Sequence, residues 1–184
     1  MFTKTEFKKL LAERILILDG AMGTEIQKHK LSEEDFRSDL FVDWDIDLKG
    51  NNDLLTLTKP ALIKNIHRDF VDAGSDIIET NTFNSNGTSQ SDYGLEELSY
   101  KLNFEGAKLA KEIASEAEKK VLVAGVIGPT NRTASLSPDV TDPAARNTSF
   151  DELRSDYKIC LDGLIDGGSD IILIETIFDT LNAK

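Results

Sequence analysis

The sequence is short of the residues from which disulfides and metal centres are built. Cys160 is the one cysteine among 184 residues, so no disulfide can form within the chain and no site of several thiolates can be built from it alone. The two histidines, His29 and His67, have no second histidine, cysteine or acid at ligand spacing. We therefore expect no metal ligands in this chain, and we interpret Cys160 as a buried, unreactive thiol on an apolar helical face.

Long apolar runs and basic clusters are scarce as well. The longest purely apolar run near the start, Ile15 to Leu18, is far too short for a signal-peptide core or a membrane span. Lysine and arginine number 21 against 33 aspartates and glutamates, which gives a formal net charge of -12. Because such a field repels phosphate backbones and anionic lipid, we expect no nucleic-acid or membrane partner, and a cytoplasmic protein.

What the sequence does contain is an alternation of apolar segments with amphipathic ones. Four segments have the composition of strands buried on both faces: "ILIL" at 15–18, "DIIET" at 76–80, "KVLVAGVIG" at 120–128 and "DIILIE" at 170–175. Long polar loops follow the strands, whereas short turns lead from each helix into the next strand. This order predicts an α/β fold of parallel βα units, with function at the carboxyl ends of the strands.

The helix boundaries are predicted from capping signals and periodicity. We expect helices over about 3–14, 58–73, 95–120 and 149–166, with Thr58 as the cap of the second and the pair Ser149 and Glu152 as a capping box for the last. Residues 21–55 are predicted as an extended loop with one or two helical turns. A further helix is expected to begin near the end of the sequence, after the last strand.

The pentapeptide "GSDII" occurs at 74–78 and again at 168–172. In both copies it leads from a predicted helix into a buried strand that ends in a carboxylate and a threonine. We interpret it as the short turn on the side of the sheet opposite the functional loops.

Polar side chains gather where the predicted strands end. They are Asp19 after the first strand, Glu79 with Asn81 and Thr82 after the second, Gly128 with Asn131 after the third, and Glu175 with Thr176 after the fourth. A partly buried acid at such a position can hold an ammonium group or take a proton. The alternative is that these acids cap helices or pair with lysine and arginine. With three acids on one rim, we favour a functional role for Asp19 and Glu175 ahead of Glu79.

The loop "DGAMGT" at 19–24 consists of small residues directly after a strand. Small residues allow backbone N–H groups to approach a ligand carboxylate or phosphate closely. The loop is not the dinucleotide pattern G-x-G-x-x-G, because only Gly20 and Gly23 fit. A nucleotide site and a tight turn without a ligand are the alternatives at this point.

Five segments together resemble a known family: "LDGAMGTEIQ", "DLKGNNDLL", "DIIETNTFN", "GVIGPTNRTASLSPDV" and "LIETIFDTLNAK". They are similar to the N-terminal homocysteine-binding domain of cobalamin-dependent methionine synthase, the 5-methyltetrahydrofolate:homocysteine methyltransferase. The resemblance runs from about Ile15 to the last residue. "DLKGNND" and "GPTNRTASLSPDV" are specific to that enzyme, whereas other homocysteine methyltransferases share mainly the "DG" and "ET" strand ends.

The resemblance implies a (β/α)8 barrel in which three cysteine thiolates hold a zinc ion, and the zinc binds homocysteine as a thiolate. The thiolate would take a methyl group from methylcobalamin, which the family recharges from 5-methyltetrahydrofolate on separate domains. No catalytic residue is assigned within this chain. The implied contacts to the amino group and carboxylate of homocysteine are Asp19, Gly20, Gly23 and Glu175, with Asn81 and Thr82 as second contacts.

The sequence departs from the family in its cysteines. The zinc cysteines have no counterpart here, and Cys160 matches none of them. Because a barrel needs eight strands over about 250 residues, residues 1–184 are interpreted as the first half of the barrel domain, inactive by itself. Its open sheet edges would favour self-association. The alternative is a self-sufficient α/β module that binds an amino acid or small anion without catalysis.

Overall fold

A computed structural model describes residues 3–184, and it has the predicted βα organisation. The helices are α1 Lys4–Glu13, α2 Met22–Lys28, α3 Glu33–Arg37, α4 Leu55–Thr58, α5 Pro60–Asp72, α6 Gly87–Gln90, α7 Ser99–Glu116 and α8 Phe150–Asp166. The strands are β1 Ile77–Glu79, β2 Leu122–Ile127 and β3 Ile171–Ile174. Short 3-10 turns lie at Ser38–Leu40, Asn52–Leu54, Ser91–Tyr93 and Glu96–Leu98.

The strands form one open parallel sheet in the order β1-β2-β3. Ile77 is opposite Leu122 in the first pairing, and Ala124 is opposite Ile171 in the second. Helices α7 and α8 pack against each other and against β2. The prediction of parallel βα units is confirmed.

The first predicted strand is present only as a single parallel bridge, between Leu18 and Ile77. The N–H of Ile77 donates to the carbonyl of Ile17 at 3.1 Å, and the N–H of Asp19 donates to the carbonyl of Ile77 at 3.0 Å. The segment therefore lies beside β1, in the place of a first strand. The prediction that it is buried on both faces is wrong: Ile15 is 82% exposed and Ile17 is 53% exposed. It has β1 as a neighbour on one side only.

Strand β3 also differs from the prediction of a strand buried on both faces. Its residues alternate between half-buried and exposed, and Ile174 is 58% exposed. Alternation with a period of two means that one face of the strand is uncovered. By contrast β2, which has a neighbour on each side, is buried at all six positions. Burial here follows from position in the sheet, because the apolar residues of the two strands are alike.

Several helix boundaries differ from those predicted. The segment 21–55 contains α2, α3 and the start of α4, which is more helix than the expected one or two turns. Thr58 does not cap α5: it ends α4, where its hydroxyl donates to the carbonyl of Leu54, and Lys59 takes the capping position before Pro60. Residues 176–184 have a turn at 180–183, and the helix expected there is not present.

Helix α8 begins as predicted. The Ser149 hydroxyl accepts a hydrogen bond from the N–H of Glu152, and the Glu152 carboxylate accepts one from the N–H of Ser149, which completes the capping box. Helix α7 begins four residues later than expected, at Ser99, because the 3-10 turn Glu96–Leu98 precedes it.

The two "GSDII" copies have the same structure. Gly74 and Gly168 adopt φ of +108° and +98°, a conformation that side chains disfavour, so glycine ends each helix. The carboxylate of Asp76 accepts the N–H of Ile17 at 2.9 Å, and that of Asp170 accepts the N–H of Val123 at 2.9 Å. Each copy therefore ties its own strand to the preceding one.

A lysine neutralises each of these aspartates: Lys111 lies in α7, and Lys119 lies three residues after that helix ends. Lys119 contacts Asp76 at 2.9 Å, and Lys111 contacts Asp170 at 2.6 Å. Arg14 adds a second cation to Asp76 at 2.6 Å, and these partners hold the pKa of that carboxyl well below its usual range. The repeat is thus a structural device at the amino ends of the strands. No helix in residues 3–184 is long and apolar enough to cross a membrane.

Candidate functional site

A cleft of about 520 Å³ opens at the carboxyl ends of the strands. It is bounded by the loop after the first sheet segment, the segment 50–53 and the loop after β1. The structure brings all the predicted substrate-binding residues into this one cleft: Asp19, Gly20, Gly23, Asn81, Thr82 and Glu175. They come from three separate parts of the chain, as the βα order requires.

Asp19 has one oxygen in use and one without a partner. Its Oδ2 accepts the N–H of Glu79 at 3.0 Å, whereas its buried Oδ1 accepts no hydrogen bond from any described residue. Burial raises the pKa of Asp19 to about 7, with a further contribution from the charge of Glu175, while the hydrogen bond from Glu79 opposes the rise. A buried acceptor without a donor is costly, and a cationic ligand would remove that cost.

Two glutamates face the same space. Glu79 is the last residue of β1, and its pKa is raised to about 7 by burial and then by the charges of Asp19 and Glu175. Glu175 follows β3, and burial raises its pKa as well. No lysine or arginine lines the cleft, and none within residues 3–184 forms an ion pair with these three acids. We call Asp19, Glu79 and Glu175 the acidic cluster.

Asn81 and Thr82 line the cleft, but their polar atoms are largely engaged. The Asn81 amide donates to the carbonyl of Asn52 at 2.8 Å and to the hydroxyl of Thr56 at 3.2 Å. The Thr82 hydroxyl donates to the carbonyl of Val126 at 2.9 Å. The backbone of Thr82 is engaged as well, because its N–H donates to the carbonyl of Thr80 and its carbonyl accepts the N–H of Ser85. For these two residues, a contact to substrate is left to the side-chain oxygen of Asn81 and to the second lone pair of the Thr82 carbonyl.

The glycine loop has one tight position and one open one. A Cβ at Gly20 would stand 2.9 Å from the ring of Phe70, so a side chain there would displace the ring. A Cβ at Gly23 would be 3.7 Å from the Asn52 amide, which is an ordinary contact. Helix α2 begins at Met22, and the first N–H groups of a helix have no partner within it. The first two residues of the helix, Met22 and Gly23, line the cleft.

Sequence reasoning missed the wall formed by residues 50–53. Asn51, Asn52 and Asp53 line the cleft with Tyr93. Asp53 is 3% exposed, and burial raises its pKa to about 6 although hydrogen bonds from Ser85 and Asn84 oppose the rise. The one available signal was the motif "DLKGNND". Its local sequence does not indicate a cleft, because the partners of Asn52 and Asp53 lie more than 25 residues further along the chain.

The remaining candidates lie outside the cleft. The Asn131 amide donates to the carboxylate of Asp92 at 2.7 Å, and neither residue lines the cleft. Cys160 is buried on α8, as expected, and burial raises its pKa to about 12. His67 is fully buried in α5 with neither ring nitrogen partnered. Within the described part of the chain, no group of three histidine, cysteine or acidic side chains could hold a metal ion.

Comparison with known proteins gives a consistent result. The family model described as homocysteine S-methyltransferase matches residues 16–184. The metallated form of the homocysteine methyltransferase MmuM from Escherichia coli has a TM-score of 0.70 at 21% identity, over 96% of this chain and 59% of that one. Its oxidized form has a TM-score of 0.70 at 22% identity, over 96% and 58% of the two chains.

The apo form of the same protein has a TM-score of 0.60 at 21% identity, over 94% of this chain and 54% of that one. The chain therefore spans little more than half the length of these structures. At such identities the likeness shows a shared fold. It confirms the prediction of a partial barrel with an open sheet.

Proposed function

The chain belongs to the homocysteine S-methyltransferase family, and from that premise we propose that its cleft binds the amino-acid end of homocysteine in an enzyme that methylates homocysteine sulfur. The observation that carries the proposal is the acidic cluster. Three carboxyl groups without a cationic partner converge at the carboxyl ends of the strands, where parallel βα folds place their ligands.

The ammonium group of the substrate supplies the missing partner. In the free cleft, like charge and burial raise the pKa values of Asp19 and Glu79 to about 7, so these groups are partly protonated at neutral pH. A bound ammonium favours the ionised forms, because an opposite charge lowers the pKa of a carboxyl group. Binding therefore releases protons from the cluster. We assign the contact to Glu175 and Asp19.

The substrate carboxylate is assigned to the glycine loop. Gly20 and Gly23 leave the backbone accessible, and the start of α2 offers N–H groups without helical partners. The side-chain oxygen of Asn81 and the backbone carbonyl of Thr82, which are acceptors, are assigned as second contacts to the ammonium group.

The methyl donor and the metal are the finer part of the proposal, and their support is the motifs "DLKGNND" and "GPTNRTASLSPDV". We propose methylcobalamin as the donor, recharged from 5-methyltetrahydrofolate on other domains of the enzyme, and zinc as the ion that holds homocysteine as a thiolate. Residues 3–184 do not fit a zinc site, and Cys160 is buried away from the cleft. Zinc ligands would have to come from outside these residues, so this chain's part is to hold the amino acid.

The open sheet edge supports one further part of the proposal. Ile172 and Ile174 of β3 are 37% and 58% exposed on an edge without a neighbouring strand among the described residues. Such an edge pairs readily with another strand. We assign it to further βα units of the same barrel domain or, in their absence, to a second copy of the chain. Sedimentation of the isolated chain tests the second case.

The experiment that tests the proposed function is a titration of the chain with L-homocysteine, followed by amide chemical shifts. Glu175→Gln keeps the shape of the side chain and removes its charge, so we expect affinity to fall about tenfold, the value of one hydrogen bond to a charged group. Glu97→Gln, at an exposed acid outside the cleft, is the matched control. If the unaltered chain does not bind homocysteine, or if both variants bind equally well, the assignment is wrong.

A further inference from the structure

Two stretches of chain form facing walls of the cleft, and one side chain ties them together. Residues 50–53 form one wall, and the loop after β1 forms the other. The carboxylate of Asp53 crosses between them: its Oδ2 accepts the N–H of Asn84 at 2.6 Å and the hydroxyl of Ser85 at 2.8 Å. Both bonds link residues more than 30 positions apart in sequence. They therefore connect one wall to the other, and neither bond lies within a single wall.

Amide side chains extend this tie. Asn51 and Gln90 exchange two hydrogen bonds, of 2.8 and 3.2 Å, and the Gln90 amide also donates to the carbonyl of Asn84 at 3.0 Å. The backbone of Asn84 is therefore held from both sides, by Asp53 through its N–H and by Gln90 through its carbonyl. Asn81, three residues before, donates to the carbonyl of Asn52 at 2.8 Å.

A second carboxylate makes a similar tie outside the cleft, to the start of α6, the helix that follows this loop. Asp156 of α8 accepts the N–H groups of Gly87 and Thr88 at 2.6 and 2.7 Å. It does not line the cleft, whereas Asp53 does. The two aspartates differ mainly in whether the segment they hold forms a cleft wall.

Fold stability does not by itself account for an acid at position 53. The residue is 97% removed from solvent and has no basic partner in the described part of the chain. Because burial raises its pKa to about 6, its ionised form lowers stability at neutral pH. A group that is retained at such a cost, and that lines a cleft, fits the pattern of functional sites.

We propose that Asp53 is a positioning residue for substrate binding: it locks the loop after β1 against the wall 50–53 and thereby holds the cleft at the width that the amino-acid end of the substrate requires. This inference rests on the proposed function of the cleft. It adds a residue that acts through Asn84 and Ser85, and that does not itself have to touch the substrate.

The test compares L-homocysteine affinity among variants of the whole chain, well below the unfolding temperature of each. Asp53→Ala removes both bonds, and we expect affinity to fall about tenfold. Asp53→Asn keeps an acceptor oxygen for both donors, so affinity should stay within about twofold of the unaltered chain. Ser85→Ala removes one donor only and should weaken binding about threefold.

Asp156→Ala is the matched control, since it removes the carboxylate that holds the start of α6, outside the cleft. Its affinity should be unchanged even where its stability falls. If Asp53→Ala leaves affinity unaltered, if Asp156→Ala weakens binding equally, or if Asp53→Asn fails to restore binding, the positioning role is wrong. Should Asp53→Ala not fold, Ser85→Ala takes its place in the test: an affinity for L-homocysteine equal to that of the unaltered chain would contradict the positioning role. Absence of binding in the unaltered chain would instead contradict the proposed function of the cleft.

Discussion

The carboxylates at the two ends of the sheet have opposite surroundings. At the amino ends, Asp76 and Asp170 accept backbone N–H groups and are paired with Lys119 and Lys111 respectively. At the carboxyl ends, the acidic cluster has no cation among the described residues, and burial raises the pKa of each of its members.

The difference separates two uses of the same residue type. A paired carboxylate has its charge compensated within the chain, so it stabilises the fold and has nothing left for a ligand. An unpaired one destabilises the free protein and is compensated when a cation binds. Asp76 and Asp170 lie within the two "GSDII" copies, just before β1 and β3, whereas Glu79 ends β1 and Glu175 follows β3. The distinction therefore arises from the end of the strand at which the acid stands.

Replacement of a paired acid gives the largest expected effect. Asp76→Ala removes the carboxylate from Arg14, Lys119 and the N–H of Ile17, and it should lower the free energy of unfolding by about 3 kcal/mol. Chemical denaturation with urea measures it. Asp72→Ala, at an exposed acid that ends α5, is the control and should change stability by less than about 0.5 kcal/mol.

The pH dependence of that loss has a definite sign. The folded pKa of Asp76 is depressed, so its stabilising contribution is present above the unfolded pKa and is lost as the pH falls through the folded value. The difference in free energy of unfolding between Asp76→Ala and the unaltered chain should therefore shrink as the pH falls. A difference that stays constant would contradict the ion-pair account.

His67 has an effect at less acidic pH, which must be separated from that of Asp76. Burial lowers the pKa of His67 to about 4, so between that value and about 6.5 the unfolded chain binds a proton that the folded chain does not. Stability should therefore fall by about 3 kcal/mol as the pH drops through this interval. His67→Leu should remove this part of the decline while leaving the Asp76 part, as shown by urea unfolding at several pH values.

Replacement of an unpaired acid is expected to change stability with the opposite sign. The folded pKa of Asp19 is raised to about 7, so stability is fully present below the unfolded pKa and is lost as the pH rises through 7. Asp19→Asn keeps an acceptor for the N–H of Glu79 and removes the charge. It should stabilise the chain by on the order of a few kcal/mol at pH 8 and have little effect at pH 4. If Asp19→Asn were less stable than the unaltered chain at pH 8, Asp19 would have to be a stabilising acid like Asp76, and the account of the acidic cluster would be wrong.

Local signals in the sequence predicted those parts of the fold that depend on a few neighbouring residues. The capping box of Ser149 and Glu152 involves residues three positions apart, so the sequence alone indicated the start of α8. The cap proposed at Thr58 failed because Thr58 belongs to the preceding helix, α4, which only tertiary packing distinguishes from a loop.

Non-local features were beyond sequence reasoning. The exposure of Ile15 and Ile17 depends on the number of strands beside them, and the apolar composition of a segment does not report that number. In the cleft, strand-end acids were predictable because parallel βα order fixes their side of the sheet. Asp53 was not, since its partners Asn84 and Ser85 become neighbours only when two loops fold together.

The central claim is that the acidic cluster is completed by a cationic ligand. Carbon NMR of selectively labelled aspartate and glutamate side chains can follow the titration of Asp19, Glu79 and Glu175 with and without L-homocysteine. The account predicts that the pKa values of Asp19 and Glu79, about 7 in the free chain, fall when homocysteine binds, while that of Asp76 stays below its usual range. Titration curves of Asp19 and Glu79 that are the same with and without bound homocysteine would contradict it.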